Sequence, residues 1–363
     1  MSQTLTVLHS FTPNRHILDG FLPDSSVLRD SAGNLYGTTL DGGTHGYGTV
    51  FKVKSSGRES ILYSFAGLSD GAYPSAGLVL DLAGDLYGTT SQGGKYAEGV
   101  VFKVDTSGKE SVLYSFGSKT ADGSDPRGLV RDAAGNLYGI TVTGGASGNG
   151  TVYKLDTAGV ETVLYSFSGT GSDEGLPNPG LARDSSGNLY GTTQGLNITT
   201  SSCGTVFKMD KAGNETTLYS FKCGADGALP EFGVVRDSAG NLYGTTTIGG
   251  LNSGVVFKID TTGAETVLHQ FSGTDGQYPT GTLLRDSGGT LYGATNFGGE
   301  YGWGTIYKID TANNETVLYS FTGGTDGKYP TGDGLVRDSA GNFYGTTQNG
   351  GSVGYGEVFK LKP

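Results

Sequence analysis

The chain has 363 residues, a formal net charge of −11 at neutral pH, 66 glycines and 21 tyrosines. The acidic balance argues against a nucleic-acid partner, which requires a basic surface, and no apolar run approaches the roughly 20 residues of a membrane-spanning helix. Glycine without a three-residue period excludes collagen and the aromatic content excludes disorder, so many short strands joined by glycine-rich turns are expected.

The first predicted element is a strand over residues 4–11, which ends in Leu-His-Ser-Phe and starts within a few residues of Met1. We expect either a cytoplasmic protein or an exported one whose leader has been removed. Near copies of this segment, most often ending in Leu-Tyr-Ser-Phe, return at the end of later repeats. The element therefore belongs to a repeat that runs along the chain.

A tripeptide Tyr-Gly-Thr, or a near copy, marks each repeat at intervals of 49 to 53 residues. The tyrosines are Tyr36, Tyr87, Tyr138, Tyr190, Tyr243, Tyr292 and Tyr344. Each repeat has four short segments rich in β-branched and aromatic residues, with Asp-x-x-Gly-Asn and Asp-Thr-x-Gly turns between them. A period in this range with four strands per repeat predicts antiparallel meanders, which are the blades of a propeller.

The number of segments favours a closed ring over an open stack. The first segment occurs seven times, and the last repeat ends at Pro363 without a fourth segment. We therefore predict one all-β domain over residues 1–363, a seven-bladed β-propeller with four antiparallel strands per blade. The strand at 4–11 is expected to pair with residues 334–361 and close the last blade, whereas an open solenoid would need polar capping repeats.

The consensus resembles a known family. Its segments read Gly-Leu-Val-Arg-Asp-Ser-x-Gly-Asn-Leu-Tyr-Gly-Thr-Thr and Gly-Thr-Val-Phe-Lys, and they recur over nearly the whole chain. This consensus resembles the GloVer tandem repeat, a family named for Gloeobacter and Verrucomicrobia. The unit is also similar to the NHL type of blade. The resemblance implies that the first segment is the innermost strand and that the protein is extracellular or at the cell surface after leader removal, and it assigns no activity.

Residues present in every repeat are predicted to be scaffold, because a single active site needs asymmetry. The tyrosine of the second segment, the lysine of the third and the aspartate that closes the first belong to this class. The aspartate of each Asp-Gly-x-x-Pro loop suggests Ca²⁺, but one carboxylate falls short of the about six to eight oxygens that Ca²⁺ takes, so we favour a turn and expect no metal and no cofactor.

Arginine ends the first segment in six repeats, and these arginines either line the channel as a cationic ring or pair with neighbouring aspartates. We favour pairing. The six are Arg29, Arg131, Arg183, Arg236, Arg285 and Arg337.

Asymmetry appears in two loops of each repeat, at the residue before the glycine of the third segment and at the residue before the loop proline. Ring closure would bring repeats six, seven and one together, with an arc of aromatic residues formed by Trp303, Tyr355, Tyr47, Tyr301, Phe297, Tyr278 and Tyr329. Exposed aromatic rings suit a sugar or another flat ligand, so we predict a monomeric binding module for a carbohydrate or small molecule. The alternative is that the rings pack the loops against each other.

Catalytic signals are weaker. His45 is the best candidate for a general base, and it lies with His16 in loops near the aromatic arc. Tyr47, near His45, and Asp125, on the opposite side of the ring, are the other catalytic candidates. Asp125 also belongs to a set of acidic side chains that could supply a carboxylate pair, the others being Asp122, Asp173 and Glu174. An enzyme such as a glycan lyase, a hydrolase or a cyclase, and a protein-interaction scaffold, remain the alternative functions.

His9 and His269 replace the usual tyrosine of the fourth segment, and we expect them to be surface or packing residues of the outer strand. Cys203 and Cys223 lie at equal distances from a hairpin turn near Gly213, so they are expected to face each other and form a disulfide, which would imply an oxidising compartment. Two neighbouring thiols are the alternative.

Overall fold

The structure is a computed structural model that describes residues 3–13, 19–171, 173–195 and 202–363. Within these ranges the regular structure consists of β-strands only. None of the described residues forms a helix that could span a membrane. His16, named above as a loop histidine, lies outside the described residues.

The strands are short, and most contain five to seven residues. Those of the first half are β1 Thr4–Ser10, β2 Gly20–Phe21, β3 Leu28–Arg29, β4 Leu35–Thr39, β5 Asp41–Gly42, β6 Thr49–Val53, β7 Glu59–Ser64, β8 Val79–Leu80, β9 Leu86–Thr90, β10 Val100–Val104, β11 Glu110–Ser115, β12 Gly123–Arg131, β13 Leu137–Gly144, β14 Thr151–Leu155 and β15 Glu161–Ser166. Those of the second half are β16 Ala182–Arg183, β17 Leu189–Thr193, β18 Thr205–Met209, β19 Glu215–Ser220, β20 Val235–Arg236, β21 Leu242–Thr246, β22 Val255–Ile259, β23 Glu265–Gln270, β24 Gln277–Arg285, β25 Leu291–Phe297, β26 Thr305–Ile309, β27 Glu315–Ser320, β28 Lys328–Arg337, β29 Phe343–Asn349 and β30 Glu357–Lys362.

These strands form four-stranded antiparallel meanders, as the sequence predicts. We number them as units in chain order: unit one is β3, β4, β6 and β7, units two to six are β8–β11, β12–β15, β16–β19, β20–β23 and β24–β27, and unit seven contains β28, β29 and β30. β1 pairs antiparallel with β30, from Thr4 opposite Lys362 to Ser10 opposite Glu357. The first strand of the chain thus lies in the same sheet as the last.

The hydrophobic core lies between neighbouring units. The phenylalanine after each fourth strand meets an aromatic ring of the next unit's third strand edge-on, as Phe65 meets Phe102 with 5.0 Å between ring centroids. The same contact joins Phe321 to Phe359 between units six and seven, and Phe11 to Phe51 between β1 and unit one. These rings are fully buried. Each such pair contributes about 0.5–1.5 kcal/mol beyond the area that it buries.

The glycine of the Tyr-Gly-Thr motif has a packing reason. A Cβ atom at Gly88 would lie 2.5 Å from the ring of Phe102, which is closer than packed atoms come. The second strand therefore needs glycine where the third-strand ring crosses it. The motif is a consequence of packing within the unit rather than of ligand chemistry.

The aspartate that ends each first strand organises the turn that follows. In unit one, Asp30 accepts hydrogen bonds from the backbone and side chain of Asn34 at 2.8 and 2.7 Å and from the Tyr36 hydroxyl at 3.0 Å. Burial alone would raise the pKa of the equivalent Asp338, but hydrogen bonds from Asn342 and Tyr344 hold that pKa at about 2. These aspartates are turn-forming groups.

A disulfide joins Cys203 and Cys223, which confirms the pairing predicted from the sequence. Their Cα atoms are 5.5 Å apart, and the two cysteines flank the hairpin of β18 and β19. Cys203 is fully buried in the core of units four and five. The bond anchors the start of β18 to the segment that follows β19.

Candidate functional site

A cavity of about 430 Å³ opens where residues from all seven units meet. We call it the mouth cavity, and we call the side on which it opens the loop face, because the Asp-Gly-x-x-Pro loops lie there. Each unit contributes the residue that follows its loop proline. These residues are Asp24, Ser75, Arg127, Asn178, Glu231, Thr280 and Thr331.

The backbone before the proline explains this position. The preceding residue has a φ between 53° and 58° in every unit, although none of the seven is glycine. Its amide donates to a carbonyl of the previous unit, as Tyr73 does to Tyr47 at 3.0 Å and Tyr329 to Trp303 at 3.1 Å. This hydrogen bond fixes a left-handed residue that would otherwise cost about 1–2 kcal/mol. The chain then turns through the proline into the cavity wall.

A second set of wall residues comes from the end of the second strands, one position after the last threonine of the Tyr-Gly-x-Thr segment. These are Val142, Gln194, Asn296 and Gln348. The cavity is therefore lined by one variable position from every unit and by a second one from four of them, and most of its side chains are polar. The sequence analysis took the residue before each loop proline as the variable position of the site, whereas the structure puts the residue after it on the cavity. The change of identity at that position, beside an invariant proline, is the signal in the sequence that identifies it.

Several wall side chains are held by hydrogen bonds. Glu231 accepts from the Gln194 amide at 3.0 Å and from the Thr247 hydroxyl at 2.9 Å. The Arg127 guanidinium donates to both carboxylate oxygens of Asp125 at 3.1 Å. These pairs give the wall a carboxylate in unit five and a guanidinium in unit three, both with fixed orientation.

Two wall groups have hydrogen-bonding capacity left over. Within the described chain, the Oδ1 atom of Asn296 and the Oγ atom of Ser75 are shielded from solvent and have no hydrogen-bond partner. An unpaired buried polar atom costs free energy, about 1–3 kcal/mol, unless a ligand or water satisfies it. Both atoms belong to residues of the mouth cavity, which makes them its available recognition groups.

The mouth cavity continues along the first strands. In unit four, Asn178 and Pro179 line the mouth, Leu181 lines a second cavity of about 370 Å³, and Arg183 lines both this and a third cavity of about 1100 Å³. The second cavity is walled largely by apolar residues such as Leu283 and Val234. A polar mouth thus leads to an apolar middle and then to an opening lined by arginine and aspartate.

The arginines at the opposite opening pack between units. Arg183 lies over the ring of Tyr138 in the preceding unit, 5.5 Å from its centroid, and Arg29 lies at the same distance over Tyr344 of unit seven. Arg337 also pairs with Asp286 at 3.3 Å. The predicted choice between a channel ring and pairing has a mixed answer, because Arg29, Arg131 and Arg183 line this opening, whereas among the described residues only Arg337 pairs with an aspartate of the neighbouring unit.

The aromatic residues predicted as an arc divide among different seams of the loop face. Trp303 packs on Tyr329 at 5.5 Å, and Tyr329 packs on Phe297 at 4.8 Å. Phe297 contacts Tyr278 at 5.9 Å. These four rings form a continuous group at units six and seven. Lys328 covers the Trp303 ring, 4.7 Å from its centroid.

The other rings of the arc have different partners. Tyr355 packs on Phe21 and Tyr47 on Tyr73, at 5.6 and 5.7 Å. Tyr301 lines a separate depression on the outer side, together with Gln3. Among the described residues, no ring contact joins Tyr355 or Tyr47 to Trp303. About a third of the surface of Tyr47 and Tyr355 is nevertheless exposed, at 36% and 37%.

The catalytic candidates are dispersed. His45 is exposed at the tip of a turn, two residues before Tyr47, and Asp125 is engaged by Arg127. Asp122 and Asp173 accept hydrogen bonds from Tyr114 and Tyr165. These two aspartates are therefore part of the loop scaffold.

Glu174 has a scaffold contact as well. It accepts a hydrogen bond from the backbone amide of Gly204 at 2.7 Å. The carboxylates considered from the sequence are thus held by other groups of the protein and do not form an isolated acid–base pair.

Solved structures share this fold at low sequence identity. The extracellular domain named for the hybrid two-component system BT3049 from B. thetaiotaomicron is 14% identical with a TM-score of 0.62, over 100% of this chain and 41% of that chain. That named for the one-component system BT4673 from the same organism is 13% identical with a TM-score of 0.60, over 98% of this chain and 42% of that chain. The chain therefore spans less than half the length of these two proteins.

A third similar structure is XC5397 from Xanthomonas campestris, a gluconolactonase. It is 12% identical with a TM-score of 0.53, over 99% of this chain and 89% of that chain. These neighbours are β-propellers, and at such identities the likeness shows the fold alone. Among curated proteins, none matches the chain.

A family model matches the chain twice, over residues 1–202 and 196–363. It describes the Gloeobacter/Verrucomicrobia repeat. The two matches together cover the chain from end to end, so the resemblance stated from the sequence motifs is confirmed.

Proposed function

The chain belongs to the Gloeobacter/Verrucomicrobia repeat family, and we propose that it is a closed seven-bladed β-propeller that binds a small, polar, sugar-like ligand in its mouth cavity. The observation that carries the proposal is the pair of unpartnered polar atoms, on Asn296 and Ser75, in a cavity lined by every unit. Its volume of about 430 Å³ falls in the range of small-molecule sites, about 300–1,000 Å³.

Contacts between unit seven and unit one support ring closure. The Leu22 amide donates to the Tyr355 carbonyl at 3.2 Å, which is the seam bond found between the other units. The Thr331 hydroxyl donates to the Pro23 carbonyl at 3.1 Å, and the Thr346 hydroxyl to the Ser25 carbonyl at 2.9 Å. These bonds connect residues more than 300 positions apart in the chain.

The chemistry of the wall favours a polyhydroxylated ligand. Hydroxyls both donate and accept, and the wall offers amides, hydroxyls, a carboxylate on Glu231 and a guanidinium on Arg127. Apart from Pro179, Phe232 and Val142, the wall residues are polar, so a hydrophobic ligand would leave them unpaired. A sugar or sugar acid satisfies them best.

The aromatic residues at the rim have a secondary role in this proposal. We propose that the exposed faces of Tyr47, Tyr355 and Phe297, with the half-buried Trp303 beside them, contact parts of a longer ligand that extend beyond the mouth. Their packing at the seams supports fixed ring orientations, which reduces the entropy lost on binding.

A thermal-shift and calorimetric screen of sugars, sugar acids and oligosaccharides tests this function. We expect Asn296→Ala to weaken binding of the responding ligand at least tenfold, with Ser75→Ala in the same direction. Asn149→Ala is the matched control, because Asn149 lies on an exposed loop and bonds to Ser168 instead. Trp303→Ala tests the rim. Equal affinity of the wild type and the Asn296→Ala and Ser75→Ala variants would contradict the proposal.

An enzyme acting on a sugar derivative is the second candidate, because XC5397, which has a similar fold, is a gluconolactonase. In that case Asp125, His45 and Tyr47 at the loop face are the residues to replace first. Turnover of a lactone that Asp125→Ala abolishes, with ligand binding retained, would favour the enzyme over the binding module.

An extracellular location is part of the proposal. The Cys203–Cys223 disulfide persists in oxidising compartments, and two similar structures are extracellular domains. We further propose that the protein is monomeric. Fractionation of native cells, followed by mass spectrometry of the two cysteines under alkylating conditions, tests the location.

A further inference from the structure

A cluster of three side chains recurs at the outer edge of the seams between units. It combines the fourth-strand aromatic residue, the aspartate of the next loop and the glutamate that begins the next fourth strand. In the tyrosine form, Tyr63 donates to Asp70 at 2.9 Å, and burial, with a further contribution from the charge of Asp70, raises the pKa of Glu110. Tyrosine holds this position at the seams that contain Tyr63, Tyr114, Tyr165, Tyr219 and Tyr319.

Histidine takes the place of the tyrosine at two seams. His9, Asp19 and Glu59 form one cluster, and the ligand atoms of these three side chains lie within 4.8 Å of one another. The His9 Nε2 atom is 3.3 Å from Asp19 Oδ2. The substitution thus replaces a hydroxyl donor by an imidazole nitrogen beside two carboxylates.

The first of these clusters has polar atoms without partners. Asp19 is buried, with 6% of its surface exposed, and within the described chain its Oδ1 atom has no hydrogen-bond partner. The Oε1 atom of Glu59 and the Nε2 atom of His9 are also shielded from solvent and have no hydrogen bond to any described residue. Burial, together with the charge of Asp19, raises the pKa of Glu59 to about 7, and His9 opposes this shift. The cluster has more acceptor atoms than the described residues satisfy.

We propose that His9, Asp19 and Glu59 bind a divalent transition-metal ion, with zinc as the preferred ion. One imidazole nitrogen and two carboxylate oxygens match the ligand types that zinc takes, and water can fill the fourth position. A bound cation would neutralise two carboxylates that otherwise repel each other in a buried place. Small side-chain rotations are needed, because zinc ligands lie about 2.0–2.2 Å from the ion.

The position of the cluster gives the ion a structural role. His9 is on β1, which belongs to unit seven, Asp19 lies in the connection, and Glu59 begins β7 of unit one. A metal ion held by all three would join the terminal strand to the first unit. The ion would therefore stabilise the seam at which the ring closes.

A second cluster has the same composition. His269 Nε2 lies 3.0 Å from Asp275 Oδ2, and the Oε1 atom of Glu315 is shielded from solvent without a partner in the described chain. This cluster is more open than the first, because 20% of the Asp275 side chain is exposed against 2% for Asp19. We expect it to bind the same ion more weakly.

The other seams provide the test variant. His9→Tyr restores the residue found at five seams, so the variant is expected to fold and to donate a hydrogen bond to Asp19 as Tyr63 does to Asp70. Full-length protein, stripped with a chelator, is titrated with zinc by calorimetry, with unfolding followed in parallel. We expect zinc to raise the wild-type Tm, and His9→Tyr to remove the tighter site, with its dissociation constant rising at least tenfold.

Two further variants keep the result interpretable. Glu59→Gln removes a ligand and is expected to weaken the tighter site, whereas His45→Ala removes an exposed histidine and should leave binding unchanged. His269→Tyr should remove only the weaker site. The proposal is overturned if the wild type does not bind zinc, or if His9→Tyr and Glu59→Gln bind it with unchanged stoichiometry and affinity. Because these residues are remote from the mouth cavity, failure here leaves the proposed ligand binding intact.

Discussion

At the scale of single residues, the positions that are identical in every unit hold the scaffold, and the variable position next to them identifies the cavity wall. The proline of each loop is invariant, and the residue after it changes from Asp24 to Ser75 to Arg127 in the first three units. Because the backbone path is the same in every unit, the side chains at this position all reach the mouth cavity. One position can therefore be varied seven times without changing the fold.

Buried glutamates predict how stability depends on pH. Burial, with a smaller contribution from the charge of Asp70, raises the pKa of Glu110 from about 4.5 to about 7. The folded state therefore binds more protons than the unfolded state between these values, so Glu110 makes the free energy of unfolding decrease as pH rises through this window. We expect Glu110→Gln to raise the Tm at pH 8 relative to the wild type, with a smaller difference at pH 5.

The matched control for this prediction is Glu161→Gln. Glu161 occupies the same position one unit later but accepts an ion pair from Lys119 at 2.8 Å. Burial raises the pKa of Glu161 as well, but Lys119 opposes this shift and is lost as a partner on replacement, so a smaller gain at pH 8 than for Glu110→Gln is expected. Thermal unfolding of the three proteins at both pH values checks the prediction, and a Glu110→Gln variant less stable than the wild type at pH 8 would contradict it.

At the scale of the elements, the arginine that ends a first strand binds the unit before it, and unit two lacks this arginine. Leu80 stands there, so Tyr36 of unit one has no arginine over its ring in the described chain, although Lys52 lies 5.0 Å from its centroid. We expect Leu80→Arg to stabilise the protein by about 0.5–1 kcal/mol through the cation–π contact seen at the other seams. Chemical denaturation measures the change.

Leu82→Arg is the control for this substitution. Leu82 is fully exposed in the following turn, and the change adds the same charge without a ring beneath it. A stabilisation of equal size in both variants would show that net charge, rather than stacking, is responsible.

The disulfide acts on one hairpin. Cys203 and Cys223 are separated by 20 positions, and closing a loop of this length stabilises the folded state by roughly 3 kcal/mol. We expect Cys223→Ser to lower the free energy of unfolding by about that amount. The same loss should appear in the wild type when a reductant is added, and an unchanged transition in either case would contradict the expected role.

At the scale of the whole molecule, the sequence predicts the architecture better than the site. The period, the turns and the packing rings repeat in each unit. A correct prediction for one unit therefore applies to every unit. The mouth cavity, in contrast, depends on which side of the loop proline faces inward. The direction in which the loop faces is set by residues with a positive φ, such as Leu229 and Leu176. Because leucine rarely adopts a positive φ, the residue type does not predict this conformation.

The aromatic arc illustrates the same limit. The sequence correctly indicates that Trp303 and Tyr329 belong to adjacent loops, and the structure puts their rings in contact. The sequence does not indicate that Tyr47 packs on Tyr73 instead of contacting Trp303. The hydrogen bond between the two loops at each seam sets the direction of these side chains. Sequence position therefore predicts proximity but not mutual contact.

Ring closure is the claim on which the mouth cavity and the seam metal site depend. Thr6 and Lys360 are direct partners in the pairing of β1 with β30, and opposite residues of antiparallel strands have Cα atoms about 4.5–5.5 Å apart, which is within disulfide range. Thr6→Cys/Lys360→Cys can therefore be oxidised and mapped by mass spectrometry. The control pair is Thr6→Cys/Lys308→Cys, in which Lys308 is the equivalent residue of unit six. We predict a quantitative intramolecular bond in monomeric Thr6→Cys/Lys360→Cys protein and none in the control, whereas absence of the bond, or its appearance only between chains, would contradict closure by the first strand.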